Sequence, residues 1–535
     1  MANKRVLMLT PKLRGSPNGI NRIQPPLGPM IAAAVMRENY GLDVKIHDCA
    51  LEGWDNRVPH SDGRSIVIGQ NDNDIYSVIA DYQPDVVGVS VLFANLANSS
   101  RRLAEMVKDV MPNAAVVFGG NNVSNSVNDA IYGRQMIASG KATRFTGRVA
   151  DLDYVDSKGR QVIDHVMHGE VDFAWPQVAK MLANGEDVSK VLGVVSKNNR
   201  RYGSKINLRP QLPDMKKLPF PARDLVNMAG YHSINRMHNP HSEGGLVLPV
   251  MASRGCPEGC SFCSTPQTWT KKVRWREIDH IIAEIEEGVK KYGIGEVQFE
   301  DDTLTARKSE LFELCRRLEP LGLKISTPNG THAGYHQKRV GGIPVEGGVQ
   351  LEIYGAMKAA GFYQVTVACE SGDQRVHDEL VGKGLKLETI NVAIANAKAA
   401  GLYAHSFWTV GYPKMPSFGY AGESVEEIER TISAAKNSGA DSASLAIVTP
   451  NPGTKVYRQV VEHDLLWPGA SLDDTMFINS LTQVAGFDGP EQFENYVKAS
   501  HKSVNYHLKE LRQARLEAGP GVREDLYAVS EKHNT

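Results

Sequence analysis

Two stretches of this chain alternate short apolar runs with amphipathic segments, and a polar, proline-containing stretch separates them. In the first, Val6–Thr10, Val44–Asp48, Val86–Ser90 and Ala115–Phe118 read as strands, with Leu27–Arg37 and Ser99–Val110 as helices, and Val166–Met167 leads into His168-Gly169-Glu170. Gly41 stands where a helix C′ glycine should. Apolar strands alternating with helices imply a parallel sheet covered on both faces, which binds ligands at the carboxyl ends of its strands. In the second stretch, strands are expected at Leu246–Ala252, Val297–Glu300, Leu323–Ser326, Gln364–Ala368, Ala404–Val410 and Ala443–Val448. Ile278, Ile281, Ile282, Ile285 and Val289 form one apolar helix stripe, and Ser424-x-x-Glu427 is a capping box. Six strand–helix units predict a partial (β/α)6 barrel rather than an eight-unit one.

The fold class is therefore α/β. A Rossmann-like domain is expected over 1–195, a linker with a few docking contacts over 196–245, the barrel over 246–464 and a small helical region over 465–535. A chain of 535 residues has room for two or three such units. Its net charge of −1 gives no general attraction to nucleic acid or anionic membrane. No segment approaches the ~18 unbroken apolar residues of a membrane span. The expectation is a cytoplasmic protein with neither nucleic acid nor membrane as partner.

Six cysteines in so long a chain do not make a disulfide scaffold, but three of them, Cys256, Cys260 and Cys263, fall within eight residues. They lie on the Gly/Pro-containing loop Ser253-Arg254-Gly255-Cys256-Pro257-Glu258-Gly259-Cys260-Ser261-Phe262-Cys263, directly after the first barrel strand. Three thiolates at C-x3-C-x2-C spacing can hold three irons of a [4Fe–4S] cluster and leave the fourth for a small chelating molecule. A structural zinc site wants a fourth Cys or His at paired spacing, and none follows. Cys315 sits on an apolar helix face and reads as core.

At these residues, including Phe262 before the last cysteine, the chain resembles the radical S-adenosylmethionine (SAM) superfamily. The resemblance implies that SAM chelates the unique iron and is cleaved by one electron to methionine and a 5′-deoxyadenosyl radical. It further implies SAM contacts from Glu300, Asp301 and Asp302 after the second strand, and from Glu370, Ser371 and Gly372 after the fourth. Carboxylates at strand ends suit this, because barrel sites form at that face. The N-terminal strand order, with Asp48, Ser90, Gly119-Gly120 and Gly169-Glu170 at strand ends, resembles the cobalamin-binding domain fused to many radical SAM enzymes. Ser90, Gly119, Gly120, Gly169 and Glu170 are the implied cofactor contacts. The D-x-H-x-x-G motif that supplies a cobalt-ligating histidine is missing: the sequence after the second strand is Asp48-Cys49-Ala50-Leu51-Glu52-Gly53.

Two cofactors together imply a methyltransferase using methylcobalamin, SAM and an external one-electron reductant of flavodoxin or ferredoxin type. No catalytic side chain is singled out. Ser90-Val91-Leu92-Phe93-Ala94-Asn95, Thr327-Pro328-Asn329-Gly330 and the insertion between Gly411-Tyr412-Pro413 and Ala421-Gly422-Glu423-Ser424 are similar to phosphonate C-methyltransferases and phosphinate P-methyltransferases. That likeness implies methylation of an unactivated centre, a P–H phosphinate or an sp3 carbon, in a small phosphorus-containing metabolite of antibiotic biosynthesis. It leans slightly to phosphorus. His332, His336, Lys338, Arg339 and Lys414 are expected to meet the anionic head group. The alternatives are a cobalamin-dependent radical SAM cyclase or oxidase, a methylase of a peptide, hopanoid or other natural-product scaffold, and a non-catalytic sensor.

Overall fold

The computed structural model describes residues 4–140, 150–196, 212–239, 242–476 and 478–518. Five parallel strands form the first sheet in the order Asp43–Asp48, Arg5–Thr10, Val86–Ser90, Ala115–Gly119, His165–Met167, with Val194–Ser196 antiparallel on the edge. In chain order that is 2-1-3-4-5, the flavodoxin-like doubly wound arrangement. Its strands are buried on both faces, as their apolar sequences require. Helix Leu27–Tyr40 ends on Gly41 at φ 58°, the left-handed conformation expected of a C′ glycine.

Six parallel strands build the second unit: Val247–Val250, Glu296–Phe299, Lys324–Ser326, Gln364–Glu370, Tyr403–Val410 and Ser442–Ile447. The third and fourth meet through an Ile325–Phe362 bridge, and Thr331–His332 pairs with Val367 and Ala368 higher up. The capping box at Ser424 and Glu427 forms as read. First and sixth strands do not pair among the described residues, so the barrel is open and has two edges. Exposed edges invite mispairing, and both are covered here. Pro249, which has no N–H for a ladder, sits in the first strand, and its carbonyl accepts from Arg223 at 2.9 Å. On the sixth strand the Asn505 side chain stands in for a neighbouring strand. Its Oδ1 accepts from the Ala443 N–H at 3.0 Å, and its Nδ2 donates to the Ala443 carbonyl at 2.9 Å. Asn505 belongs to the long C-terminal helix Pro490–Ala518.

The stretch read as a linker is more than a tether. Asn198-Asn199-Arg200-Arg201 lie outside the described residues. Within 212–239, Arg223 is buried and bonds Glu284 at 2.6 Å, while buried Tyr231 donates to Asp48 at 2.6 Å. One residue thus holds the barrel and the other the first sheet. These side chains find partners in two different domains. No helix of the described residues is long and apolar enough to cross a membrane.

Candidate active site

The cysteine loop is closed at its base by a two-residue antiparallel ribbon, Ser253-Arg254 against Arg274-Trp275. Gly255 follows at φ 103°, and a Cβ there would lie 2.4 Å from the Lys272 carbonyl oxygen. Only glycine lets the chain enter the loop this way. The Ser261 N–H donates to the Val381 carbonyl at 2.8 Å and the Ser261 carbonyl accepts from Val456 at 3.1 Å, so the loop is pinned to two other barrel loops. Cys256, Cys260 and Cys263 are free thiols. Burial pushes the Cys256 thiol up to about 11 and raises the other two as well, and mutual repulsion adds to the rise at Cys256 and Cys260. Such thiols need a cationic metal centre to ionise. Phe262 packs edge-on against buried Tyr412, with ring centroids 6.1 Å apart.

The implied SAM contacts divide sharply. Glu300 accepts from or pairs with His238 at 2.8 Å through Oε2, while its buried Oε1 has no protein partner. Asp301 next to it turns the other way. Its carboxylate takes the N–H of Ala252 at 3.0 Å, the N–H of Ser253 and the Ser253 hydroxyl, so it props the start of the cysteine loop and is committed. Asp302 accepts from Thr265 Oγ1 at 3.0 Å. Burial raises Asp301 to about 7 and Asp302 to about 6.

Glu370 lies at φ 65°, unusual for a residue with a Cβ, just past a register shift in the fourth strand. Lys383 holds this conformation, donating to Glu370 Oε1 at 2.9 Å and to the Ala368 carbonyl at 3.0 Å. Glu370 Oε2 is buried and unpartnered. Strain of this kind persists where the surroundings over-determine it, commonly at ligand clamps. Ser371 and Gly372 are engaged with a neighbouring helix. Ser371 Oγ meets Thr431 Oγ1 at 3.1 Å, and the Gly372 N–H donates to the same hydroxyl at 3.0 Å, so both dock a helix.

Lys383 was missed by the sequence reading. It is a buried cation between Glu370 and the cysteine loop, and attraction to Glu370 and Cys260 outweighs its burial to hold its pKa above the ordinary value. Nothing local in Val381-Gly382-Lys383-Gly384 marks it.

At the carboxyl edge of the first sheet, Ser90 and Gly119 sit side by side. A Cβ on Gly119 would meet only Met167, at 3.9 Å, which leaves room for a ligand to approach the backbone. Leu92 and Phe93, exposed by about half, form an apolar ledge there, and the buried Oδ1 of Asn95 has no protein partner. An open strand end, an apolar ledge and orphaned amide oxygen fit a large, mostly apolar macrocycle with an amide rim. His47 is engaged with Gln70 at 2.7 Å. Glu170 is held by the barrel. Its side chain is fully buried and its two oxygens are taken by Arg254 at 3.1 Å and by Arg274.

The basic groups expected to gather at the barrel mouth do not. Burial, with Lys383 nearby, pushes His332 down to about 3, so it is neutral. His336 Nε2 meets the Thr305 carbonyl at 2.9 Å, and Lys338 and Arg339 ride on an exposed hairpin with Ile343–Val345. Lys414 is exposed.

Three thiols on a loop at the mouth of an open (β/α)6 barrel, beside a flavodoxin-like sheet, are the arrangement expected of a radical SAM enzyme of the cobalamin-binding class. Family models agree: the radical SAM superfamily matches residues 250–433 and the B12 binding domain residues 20–136. The chain is 29% identical over 507 residues to the cytidylyl-2-hydroxyethylphosphonate methyltransferase of Streptomyces wedmorensis, covering 91% of this chain and 88% of that one. It is 27% identical to an uncharacterized methyltransferase of Pyrococcus horikoshii, covering 86% and 84%. The solved structure of the radical SAM methyltransferase TsrM from Kitasatospora setae, with cobalamin and a [4Fe–4S] cluster bound, shares the fold with a TM-score of 0.58 at 16% identity, covering 91% of this chain and 82% of that one. This chain belongs to the cobalamin-dependent radical SAM methyltransferase family, whose cofactors are a [4Fe–4S] cluster, SAM and cobalamin.

Proposed function

We propose that this enzyme methylates an unactivated carbon or phosphorus centre of a small phosphonate or phosphinate metabolite, free or carried on a nucleotide. The carrying observation is the similarity to a methyltransferase of a cytidylyl phosphonate, which runs through both domains and nine-tenths of the chain. The dispersed basic side chains at the barrel mouth add nothing to it.

The bound cofactors supply radical generation and a transferable methyl group; the protein supplies binding, orientation and exclusion of water. Cys256, Cys260 and Cys263 are the proposed cluster ligands. Glu300 and Glu370 each present a buried, unpartnered oxygen at the barrel mouth, suited to the amino and ribose hydroxyl donors of SAM. Lys383 supplies a buried positive charge for its carboxylate. Ser90, Gly119, Gly120 and Gly169 are proposed to line the cobalamin slot. Residues 1–195 and 246–464 divide the two cofactors between them, and a small one-electron carrier protein is the proposed reductant.

The test is anaerobic turnover of reconstituted enzyme with methyl-labelled SAM and a panel holding a P–H phosphinate, hydroxyethylphosphonate and its cytidylyl form. Phosphorus NMR separates a new P–CH3 coupling from a new C–CH3 group. Methylation is expected to yield S-adenosylhomocysteine together with 5′-deoxyadenosine. The phosphorus assignment fails if no panel member is consumed while a peptide, porphyrin or terpenoid is.

A further inference from the structure

The first domain grips the cysteine loop itself. At the loop's entry, Arg254 lies two residues before Cys256 and is buried. It donates to Asp172 through both terminal nitrogens, at 2.7 and 2.9 Å, and to Glu170 at 3.1 Å. Its guanidinium also stacks over Trp269, 4.6 Å from the ring centroid. Arg274, its partner in the closing ribbon, bonds the other oxygen of Glu170 and donates to the Trp269 carbonyl at 3.1 Å. Two guanidinium and two carboxylate groups thus form a charge-balanced quartet across the domain boundary, buried except for the partly exposed Arg274.

At the loop's exit the first domain takes hold again. Asn121 Nδ2 donates to the hydroxyl of Ser264, the residue after Cys263, at 3.3 Å, and Asn121 Oδ1 accepts from Thr268. Asn128 Nδ2 donates to the Gln267 carbonyl at 3.4 Å.

The gripping residues stand next to the strand-end glycines. Gly169 precedes Glu170, and Gly120 precedes Asn121. The segments proposed to cradle one cofactor therefore run within a residue into contacts with the loop proposed to hold the other.

We propose that Glu170, Asp172, Arg254 and Arg274 are a positioning clamp that fixes the separation of the two cofactors by tying the cobalamin-binding domain to the cysteine loop. Bidentate guanidinium–carboxylate geometry suits this task, because it fixes angle as well as distance. A buried ion pair is otherwise a poor source of net stability relative to apolar packing, which favours a geometric role. The proposal rests on the two-cofactor reading above, but only its product readout depends on methylation.

The test compares Asp172→Asn, which keeps shape and leaves the quartet with excess positive charge, with Asp172→Glu, which keeps the charge. In holoenzyme, the spin-relaxation enhancement of cob(II)alamin by the reduced cluster reports their separation. Wild type and Asp172→Glu are expected to give one sharp value, and Asp172→Asn a weaker or broadened one. Among products, the ratio of 5′-deoxyadenosine to methylated substrate is expected to rise about tenfold in Asp172→Asn, since small misplacements of reacting groups cost up to about a hundredfold. A purely structural role lowers both products together and leaves the ratio unchanged. If Asp172→Asn does not fold, Glu170→Gln tests the other arm of the clamp by the same readouts. Unchanged relaxation enhancement in a folded variant overturns the clamp. If wild type methylates nothing in the panel, the substrate reading fails, and the relaxation measurement still decides the clamp.

Discussion

Gly255 and Gly259 both lie in the cysteine loop, and the structure separates them. A methyl group on Gly255 meets the Lys272 carbonyl oxygen at 2.4 Å, the Lys272 carbonyl carbon at 3.0 Å and the Thr270 carbonyl oxygen at 3.2 Å. All three are backbone atoms of the segment leading into the strand that closes the loop, so relief needs movement of that backbone. Holding a non-glycine residue in this region of backbone space costs ~1–3 kcal/mol, and an unrelieved overlap adds about 1–3 kcal/mol. Taking about 2–4 kcal/mol for Gly255→Ala, the closed loop is disfavoured about 30- to 700-fold at a factor of ten per 1.4 kcal/mol. Cluster binding requires the closed loop, so its apparent affinity falls by up to the same factor. On Gly259 the added methyl meets only the mobile Lys271 Nζ at 3.2 Å and the Gly382 carbonyl oxygen at 3.9 Å, so Gly259→Ala is expected to cost under about 1 kcal/mol. The assay is iron and sulfide content per chain after anaerobic reconstitution at limiting iron. Gly255→Ala should be depleted and Gly259→Ala close to wild type. Equal cluster content in the two variants, or the reverse order, refutes the reasoning.

Replacing Cys256, Cys260 or Cys263 by Ala should remove or cripple the cluster and abolish 5′-deoxyadenosine formation, whereas Cys315→Ala, in the barrel core, should keep both. Electron paramagnetic resonance of bound cob(II)alamin is expected to show no nitrogen superhyperfine splitting; clear splitting from an imidazole would contradict the reading of the first domain. Asn505→Leu strips partners from the Ala443 N–H and, in part, its carbonyl, which His501 also reaches at 3.1 Å. A loss of about 1–3 kcal/mol is expected in denaturant unfolding. Burial opposes ionisation of Asp172, but Arg254 outweighs it and depresses the pKa below its usual 3.8. The unfolded chain therefore binds that proton first as pH falls. The stability Asp172 contributes is fully present above about pH 5 and disappears as pH falls through its depressed folded value. The stability gap between wild type and Asp172→Asn should be flat above about pH 5 and close in acid; a gap that widens in acid contradicts this.

All six barrel strands and four of the five parallel strands of the first sheet were legible in the sequence, because each is a short apolar or alternating run set off by glycine, proline or a helix. The three cysteines were legible for the same reason: their spacing is local, and local spacing survives folding. What folding alone decided is where each side chain spends its polar atoms. Glu300 and Asp301 are neighbours, yet Asp301 is consumed by Ser253, 48 residues away in sequence, while Glu300 keeps a free oxygen. Glu170 stands beside Gly169 at a strand end, and only the fold brings Arg254, 84 residues on, to one of its oxygens. Lys383 and Asp172 carried no local signal, and Arg223 lay in a stretch that read as linker. Burial makes a charge depend on its nearest partner, and in a parallel α/β fold that partner comes from another strand's loop. Periodicity therefore specifies the elements and their order, whereas the pairing of distant loops at the strand ends specifies the site.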